Sequence, residues 1–181
     1  MTVVYVIGLP GAGKTTAMRQ AHQQFGEPVE VDDPVPHLSY PNADVVQLGR
    51  DRGAFSGTDA LSMGINPKAC AYVRAKPAAL ITGEGDRLAN SRFFETAAAY
   101  GQFVLVWLDC PPALARARAR SRAEALGRPP QPSSWWKGRL TKVDNLVGRW
   151  ADHVVRISAD DGPERVASRL TETLLGAVLA S

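Results

Sequence analysis

The sequence predicts an α/β fold, a parallel five-stranded sheet flanked by helices, and three observations carry that expectation. Runs rich in Val, Ile and Leu at 2–7, 28–32, 78–82, 102–108 and 153–158 alternate with helical patterns at 14–25, 86–100, 111–126 and 163–179. Strands such as "FVLVWL" are apolar throughout, which suits a sheet buried on both faces. The first strand also breaks into "GLPGAGKTT", a glycine-rich turn of the kind that bares backbone where a ligand must approach.

At 181 residues, with 45% apolar and 22% charged residues, the chain is expected to form one domain over 1–181. Two cysteines, Cys70 and Cys110, are too few for a disulfide framework and are expected to be reduced packing residues. The opening "MTVVYVIG" lacks a basic segment, and no apolar run approaches the ~18 residues of a membrane span. A cytoplasmic location without membrane association is therefore expected. The formal charge is only +3, but residues 111–150 carry a local net of +7, so the rest of the chain is net negative. Such a segment suits phosphates, free or in nucleic acid.

In chain order, the strand at 2–7 leads into Gly8, Gly13, Lys14 and Thr15, which fill the pattern G-x-x-x-x-G-K-[ST] between a strand and a helix. This context predicts a phosphate-binding loop. Gly8, Pro10, Gly11, Ala12, Gly13, Lys14, Thr15 and Thr16 would cradle ATP, with Lys14 on the β and γ phosphates and the Thr15 hydroxyl on Mg²⁺. Ala17, Met18, Ala21 and Phe25 share one face and are expected in the core, and His22 on the exposed side.

The second strand ends "VEVDD", which puts Asp32 and Asp33 at the carboxyl edge expected to collect ligands. One of them is expected to take the acceptor's proton, and Asp32 is the expected second metal ligand. Residues 33–77 are expected to form an excursion on the acceptor side, irregular at least over 33–57 with prolines at 34, 36 and 41. Within it "GRDRGAFSGTD" gathers Arg50, Arg52, Ser56, Thr58 and Asp59 as candidate acceptor contacts. The third strand runs into "GEGDRL", placing Glu84, Asp86 and Arg87 at the neighbouring strand top. Asp109 also ends an apolar strand, and its following Cys-Pro-Pro predicts a helix cap.

Residues 111–150 are expected to form a lid, with "GRPPQPSS" as a hinge and a second short helix after it. In "PPALARARARSR", Arg116 and Arg120 share one helical face and Arg118 and Arg122 the opposite one, so one pair at most reaches phosphate. Spacing alone does not choose between the pairs; Arg116 and Arg120 are carried forward as the catalytic pair. Trp135, Trp136, Lys137 and Arg139 are candidate acceptor contacts, the tryptophans as stacking faces, though adjacent ones cannot share a helical face.

The ordered set "GLPGAGKTT", "DD", "GRDRGAFSGTDALSMGINPKA", "ITGEGDRLANSRFF", "LDCPPALARARAR" and "SSWWKGRLTKVDNL" resembles P-loop kinases of the nucleotide-kinase superfamily. Within it, the set resembles the phage-type 5-hydroxymethyluracil DNA kinases. The resemblance implies a P-loop NTPase fold with an Arg-rich helical lid, ATP and Mg²⁺ as cofactors, and DNA with modified thymine bases as acceptor. It implies phosphorylation of the base hydroxymethyl group in thymidine hypermodification. The alternatives are a kinase of small nucleosides or nucleoside monophosphates and a nucleotide-gated binding module. A GTPase switch fits less well: "TKVD" at 141–144 does not follow a buried strand, and D-x-x-G does not occur.

Overall fold

The computed structural model describes residues 1–50 and 56–180. Its centre is β1 (Thr2–Ile7), buried along its whole length. Val3, Tyr5 and Ile7 enter one hydrophobic core and Val4 and Val6 the other, as the period-two alternation of a strand requires. Beside it lie β5 (Leu80–Glu84) and β6 (Gln102–Asp109), both parallel to it. β4 (Val45–Leu48) extends the parallel array next to β5, and β7 (Val154–Ser158) next to β6.

The sheet has seven strands and is mixed, which corrects the expected five-stranded parallel sheet. Its order is β2-β3-β4-β5-β1-β6-β7, where β2 (Val29–Val31) and β3 (His37–Tyr40) form an antiparallel flank on β4. Four of the five expected strands fall in the parallel array; the one at 28–32 is the outermost edge. The stretch expected to be irregular, 33–57, supplies β3 and β4, and α2 (Asn66–Arg74) follows within 33–77. Two strands of four residues, the first closed in by Pro36 and Pro41, give too short an alternation to stand out.

Helices cover both faces. α2 and α3 (Ser91–Tyr100) pack on one side, where Phe93 and Phe94 lie against Tyr5 at ring-centroid distances of 5.7 and 5.2 Å. α1 (Lys14–His22) and α6 (Pro163–Leu179) pack together on the other. Ala17, Met18, Ala21 and Phe25 are buried there as expected, but so is His22. Its ring bonds the Met18 carbonyl at 2.7 Å and Thr82 Oγ1 at 2.9 Å, and burial pushes its pKa down to about 4. A helix packed between sheet and α6 has little exposed side left for it.

α4 (Pro112–Ala125) and α5 (Ser133–Arg149) follow β6 and flank the open end of the sheet. The expected short second helix is thus 17 residues long, and "TKVD" lies inside it. Asp109 does not cap α4, whose N-cap is Pro111; it accepts from Arg156 Nε on β7 at 2.8 Å. Cys70 and Cys110 are both free and buried. Among the described residues no helix is long and apolar enough to cross a membrane.

Candidate active site

The carboxyl ends of β1 and β5, the loop 56–60 and α4 and α5 enclose a cleft of about 1020 Å³. Its floor is the glycine turn. α1 begins at Lys14 behind Gly13, with no side-chain cap and no acid in its first turn, so its leading N–H groups are left for an anion. Gly11 has a left-handed φ of +88°, and a Cβ there would run into the Ala115 carbonyl oxygen, so α4 rests directly on the turn.

Lys14 Nζ donates to the carbonyls of Gly8 at 2.9 Å and Leu9 at 3.1 Å, which leaves one of its three N–H groups for the loop mouth. Desolvation pushes its pKa below the ordinary lysine value, opposed by Glu84, Asp59 and Asp86.

Thr15 Oγ1 donates to Glu84 Oε1 at 2.8 Å. With that proton committed, the 2.9 Å contact to Ser56 Oγ has Ser56 as donor. Glu84 ends β5 and is buried. The loop comes close enough because Gly57 takes φ +57°, where a Cβ would collide with the Glu84 carboxylate. Three hard oxygens thus meet beside the turn, the donor chemistry Mg²⁺ takes alongside nucleotide phosphates. Among the described residues no group of three or more His, Cys, Asp or Glu side chains is placed to hold a metal ion.

Asp32, the expected metal ligand, is elsewhere. It forms an ion pair with buried Arg50, which also meets Glu30 at 3.5 Å, and neither Asp32 nor Asp33 lines the cleft. The reason is topological, since β3 and β4 separate β2 from β5. Arg52 lies outside the described residues.

The acceptor-side candidates divide. Ser56, Asp59, Glu84, Asp86 and Arg87 line the cleft. Thr58 lies beneath it, fully buried, donating to the Glu84 carbonyl and paired with Tyr5 Oη, each at 2.8 Å. Asp59 Oδ1 accepts the N–H groups of Asp86 at 2.7 Å and Arg87 at 3.0 Å; its other oxygen has no hydrogen-bond donor among the described residues. Arg87 contacts the Met63 sulfur, and its buried Nε finds no partner among the described residues.

Asp86 pairs with Arg139 and, at 2.7 Å, with Lys142. Burial alone would raise its pKa, but the hydrogen bonds from Lys142 and Arg139 outweigh this and hold it below the usual carboxylate value. Lys142 was not singled out from sequence, though it lies one turn beyond Arg139 on the same face.

On α4 the cleft is lined by the pair opposite to Arg116 and Arg120. Arg118 and Arg122 line the cleft. Arg116 instead lies over Trp136 at 5.3 Å, and Arg120 pairs with Glu124 at 2.9 Å on the exposed side. The tryptophans divide likewise: Trp136 is core, whereas Trp135 lines the cleft with Arg139 over its ring at 5.0 Å. Lys137 faces an adjoining groove.

Residues 1–175 match the P-loop Nucleotide Kinase3 family. Among solved structures, a gluconokinase from Sinorhizobium meliloti aligns at 16% identity with TM-score 0.51, over 96% of this chain and 95% of its own. A sugar kinase from a Janibacter species aligns at 18% identity with TM-score 0.54, over 98% and 95%. At these identities the likeness is one of fold. No curated protein is similar enough to match. With the glycine turn, Lys14 and the Thr15–Glu84 pair in one cleft, and a family match over nearly the whole length, the chain belongs to the P-loop Nucleotide Kinase3 family and is an ATP-dependent phosphotransferase.

Proposed function

We propose that the protein transfers the γ-phosphoryl group of ATP to a hydroxyl of a small, nucleoside-type acceptor. The observation that carries this is the make-up of the cleft. The phosphate-binding turn, Arg118, Arg122, Asp59, Asp86, Arg87 and Trp135 all line one cavity of about 1020 Å³. That volume lies at the top of the range for small-molecule sites, which suits a donor and a small acceptor side by side. The structural neighbours named for gluconate and sugar support a small hydroxylated acceptor.

In this reading Mg²⁺, held through Thr15 and Glu84, supplies charge neutralisation on the donor phosphates. The chain's own residues do the rest. The amides of the glycine turn and Lys14 fix the phosphates, and Arg118 and Arg122 face the oxygens on which charge develops. Of the cleft carboxylates, Glu84 is committed to Thr15 and Asp86 to Arg139 and Lys142. Asp59 retains an oxygen for the acceptor. Its carboxylate takes the hydroxyl proton as the alcohol oxygen bonds to phosphorus, and ADP leaves with the electron pair of the broken P–O bond.

A second reading, a 5-hydroxymethyluracil base within DNA as acceptor, is favoured by one feature. Trp135 offers an aromatic face inside the cleft beside Arg139, as stacking on an extruded base requires.

The test is incubation with γ-labelled ATP and Mg²⁺ against free nucleosides, nucleoside monophosphates, sugars, plain DNA and DNA containing 5-hydroxymethyluracil, followed by nuclease digestion to locate the label. Label on a free nucleoside or monophosphate supports the first reading, and label on the modified base in DNA replaces it with the second. Binding of ATP without any labelled product would leave a nucleotide-gated binding module.

A further inference from the structure

We propose that Met63 is an oxidation switch beside Asp59: a hydroperoxide converts its thioether to the sulfoxide, whose oxygen takes hold of the Arg87 guanidinium and withdraws it from the acceptor. The inference rests on the kinase reading and adds to it a means of regulation.

Met63 stands at the tip of a tight turn, in which the Ile65 N–H donates to the Ser62 carbonyl at 3.3 Å. Leu61 and Ile65 on either side are buried, while Met63 is 83% exposed. The turn thus holds a large apolar side chain in water by anchoring its neighbours. It holds it at the cleft, whose lining includes Met63, and the Met63 sulfur accepts from Arg87 Nη1. That contact does not stand alone. Asp59, four residues before Met63, accepts the Arg87 N–H at 3.0 Å, so the two segments are docked at two points.

Arg87 is a cleft cation with nothing stronger to hold it. Arg139 and Lys142 are committed to Asp86, but no carboxylate of the described residues pairs with Arg87, and its Nε has no partner among them. A thioether sulfur is a weak acceptor, so an oxygen of the acceptor substrate displaces it readily. A sulfoxide oxygen is polar and charge-rich, and the same contact becomes a hydrogen bond from a charged donor that substrate must break.

The chemistry is selective and reversible. The sulfur lone pair attacks one oxygen of the hydroperoxide, the O–O bond breaks, and the departing oxygen leaves with the proton as water or an alcohol. The sulfide is oxidised by two electrons and the peroxide reduced by two. Of the other methionines, Met18 is buried and Met1 is partly buried against the core, so Met63 is the one the oxidant reaches first. Cys70 and Cys110 are buried as well.

The experiment treats the full chain with hydrogen peroxide and locates the added oxygen by peptide mass spectrometry. It then follows modification of Arg87 by phenylglyoxal with no substrate present. The proteins are wild type, Met63→Leu, and Met63→Gln, whose amide oxygen stands in for the sulfoxide without oxidant. Oxygen should add to Met63 ahead of Met1 and Met18. Arg87 modification should slow about tenfold after oxidation and equally in untreated Met63→Gln, with no change on treating Met63→Leu. Methionine sulfoxide reductase should restore the wild-type rate. With the acceptor found in the labelling experiment, oxidation should raise its KM about tenfold and leave the KM for ATP unchanged. In an Arg87→Ala background, Met63→Gln should add nothing.

The proposal is overturned by oxidation that spares Met63, by Arg87 modified equally fast before and after it, or by an acceptor KM that does not move. An equal loss in treated Met63→Leu would do the same, since that variant keeps both cysteines. Failure of the kinase reading is a separate outcome: with no labelled acceptor, the oxidation map and the phenylglyoxal rates still decide whether Met63 captures Arg87.

Discussion

Thr15 on the first helix donates a 2.8 Å hydrogen bond to Glu84 at the end of β5, joining residues 69 positions apart at the mouth of the glycine turn. Neither the turn motif nor the strand implies this pair; parallel pairing of β1 with β5 creates it.

Glu84→Gln keeps the side-chain shape and a hydrogen-bond acceptor for Thr15 but removes the charge that would share Mg²⁺. Phosphoryl transfer at saturating ATP should fall by about 10²-fold or more, while the circular dichroism spectrum is retained. Steady-state kinetics across a Mg²⁺ titration is the check. Unchanged kcat at low Mg²⁺ would remove Glu84 from the cation site.

The two arginine pairs of α4 should separate cleanly. Arg118→Ala and Arg122→Ala, whose side chains line the cleft, should each lower kcat by roughly 10-fold to 10²-fold. Arg120→Ala loses an exposed pair with Glu124 and should stay within about twofold. Equal losses in all three would point to helix damage rather than phosphate contact.

Tyr5 contributes through position. Its hydroxyl, fully buried, lies 2.8 Å from Thr58 Oγ1, whose own proton goes to the Glu84 carbonyl, and 3.1 Å from the Gly85 carbonyl, so its one proton is shared between these two acceptors and ties together the loops that carry Ser56 and Asp86. Tyr5→Phe preserves the packing on Phe93 and Phe94 but leaves acceptors short of a donor, at a cost of about 1 to 2 kcal/mol in unfolding free energy. Denaturant melts should show this loss together with a several-fold drop in kcat. A stability loss with kcat intact would confine Tyr5 to the fold.

His22 makes the fold acid-sensitive. Its folded pKa of about 4 lies below the ordinary imidazole value of 6.5, so below pH 6.5 the unfolded chain binds a proton that the native chain refuses. Stability from this group is whole above about pH 6.5 and declines as pH falls towards 4, by about 2 kcal/mol at pH 5. Urea midpoints at pH 7.5 and 5 check this against His22→Gln, which should be less stable but shed that part of the pH slope. Identical slopes in the two proteins would assign the acid sensitivity elsewhere.

Local chemistry was legible before any coordinates. Gly8, Gly13, Lys14 and Thr15 are meaningful by spacing alone, because one strand-turn-helix passage sets their geometry. The apolar run at 102–108 likewise announces a strand covered on both faces, since burial on two sides leaves no polar alternation. Less local features escaped. The pairing of short β3 and β4 moved Asp32 to an outer edge beside Arg50 and gave the place at Thr15 to Glu84. α6 packed over α1 buried His22, whose polarity alone argued for exposure.

The sequence by itself determined the glycine turn, the apolar strands of the sheet centre and the existence of two arginine faces on one helix, all set by contacts within a few residues. Only the tertiary structure decided which carboxylate stands at Thr15 and which arginine face meets the cleft. Strand order and helix rotation come from pairings across tens of residues, and no local pattern encodes their outcome.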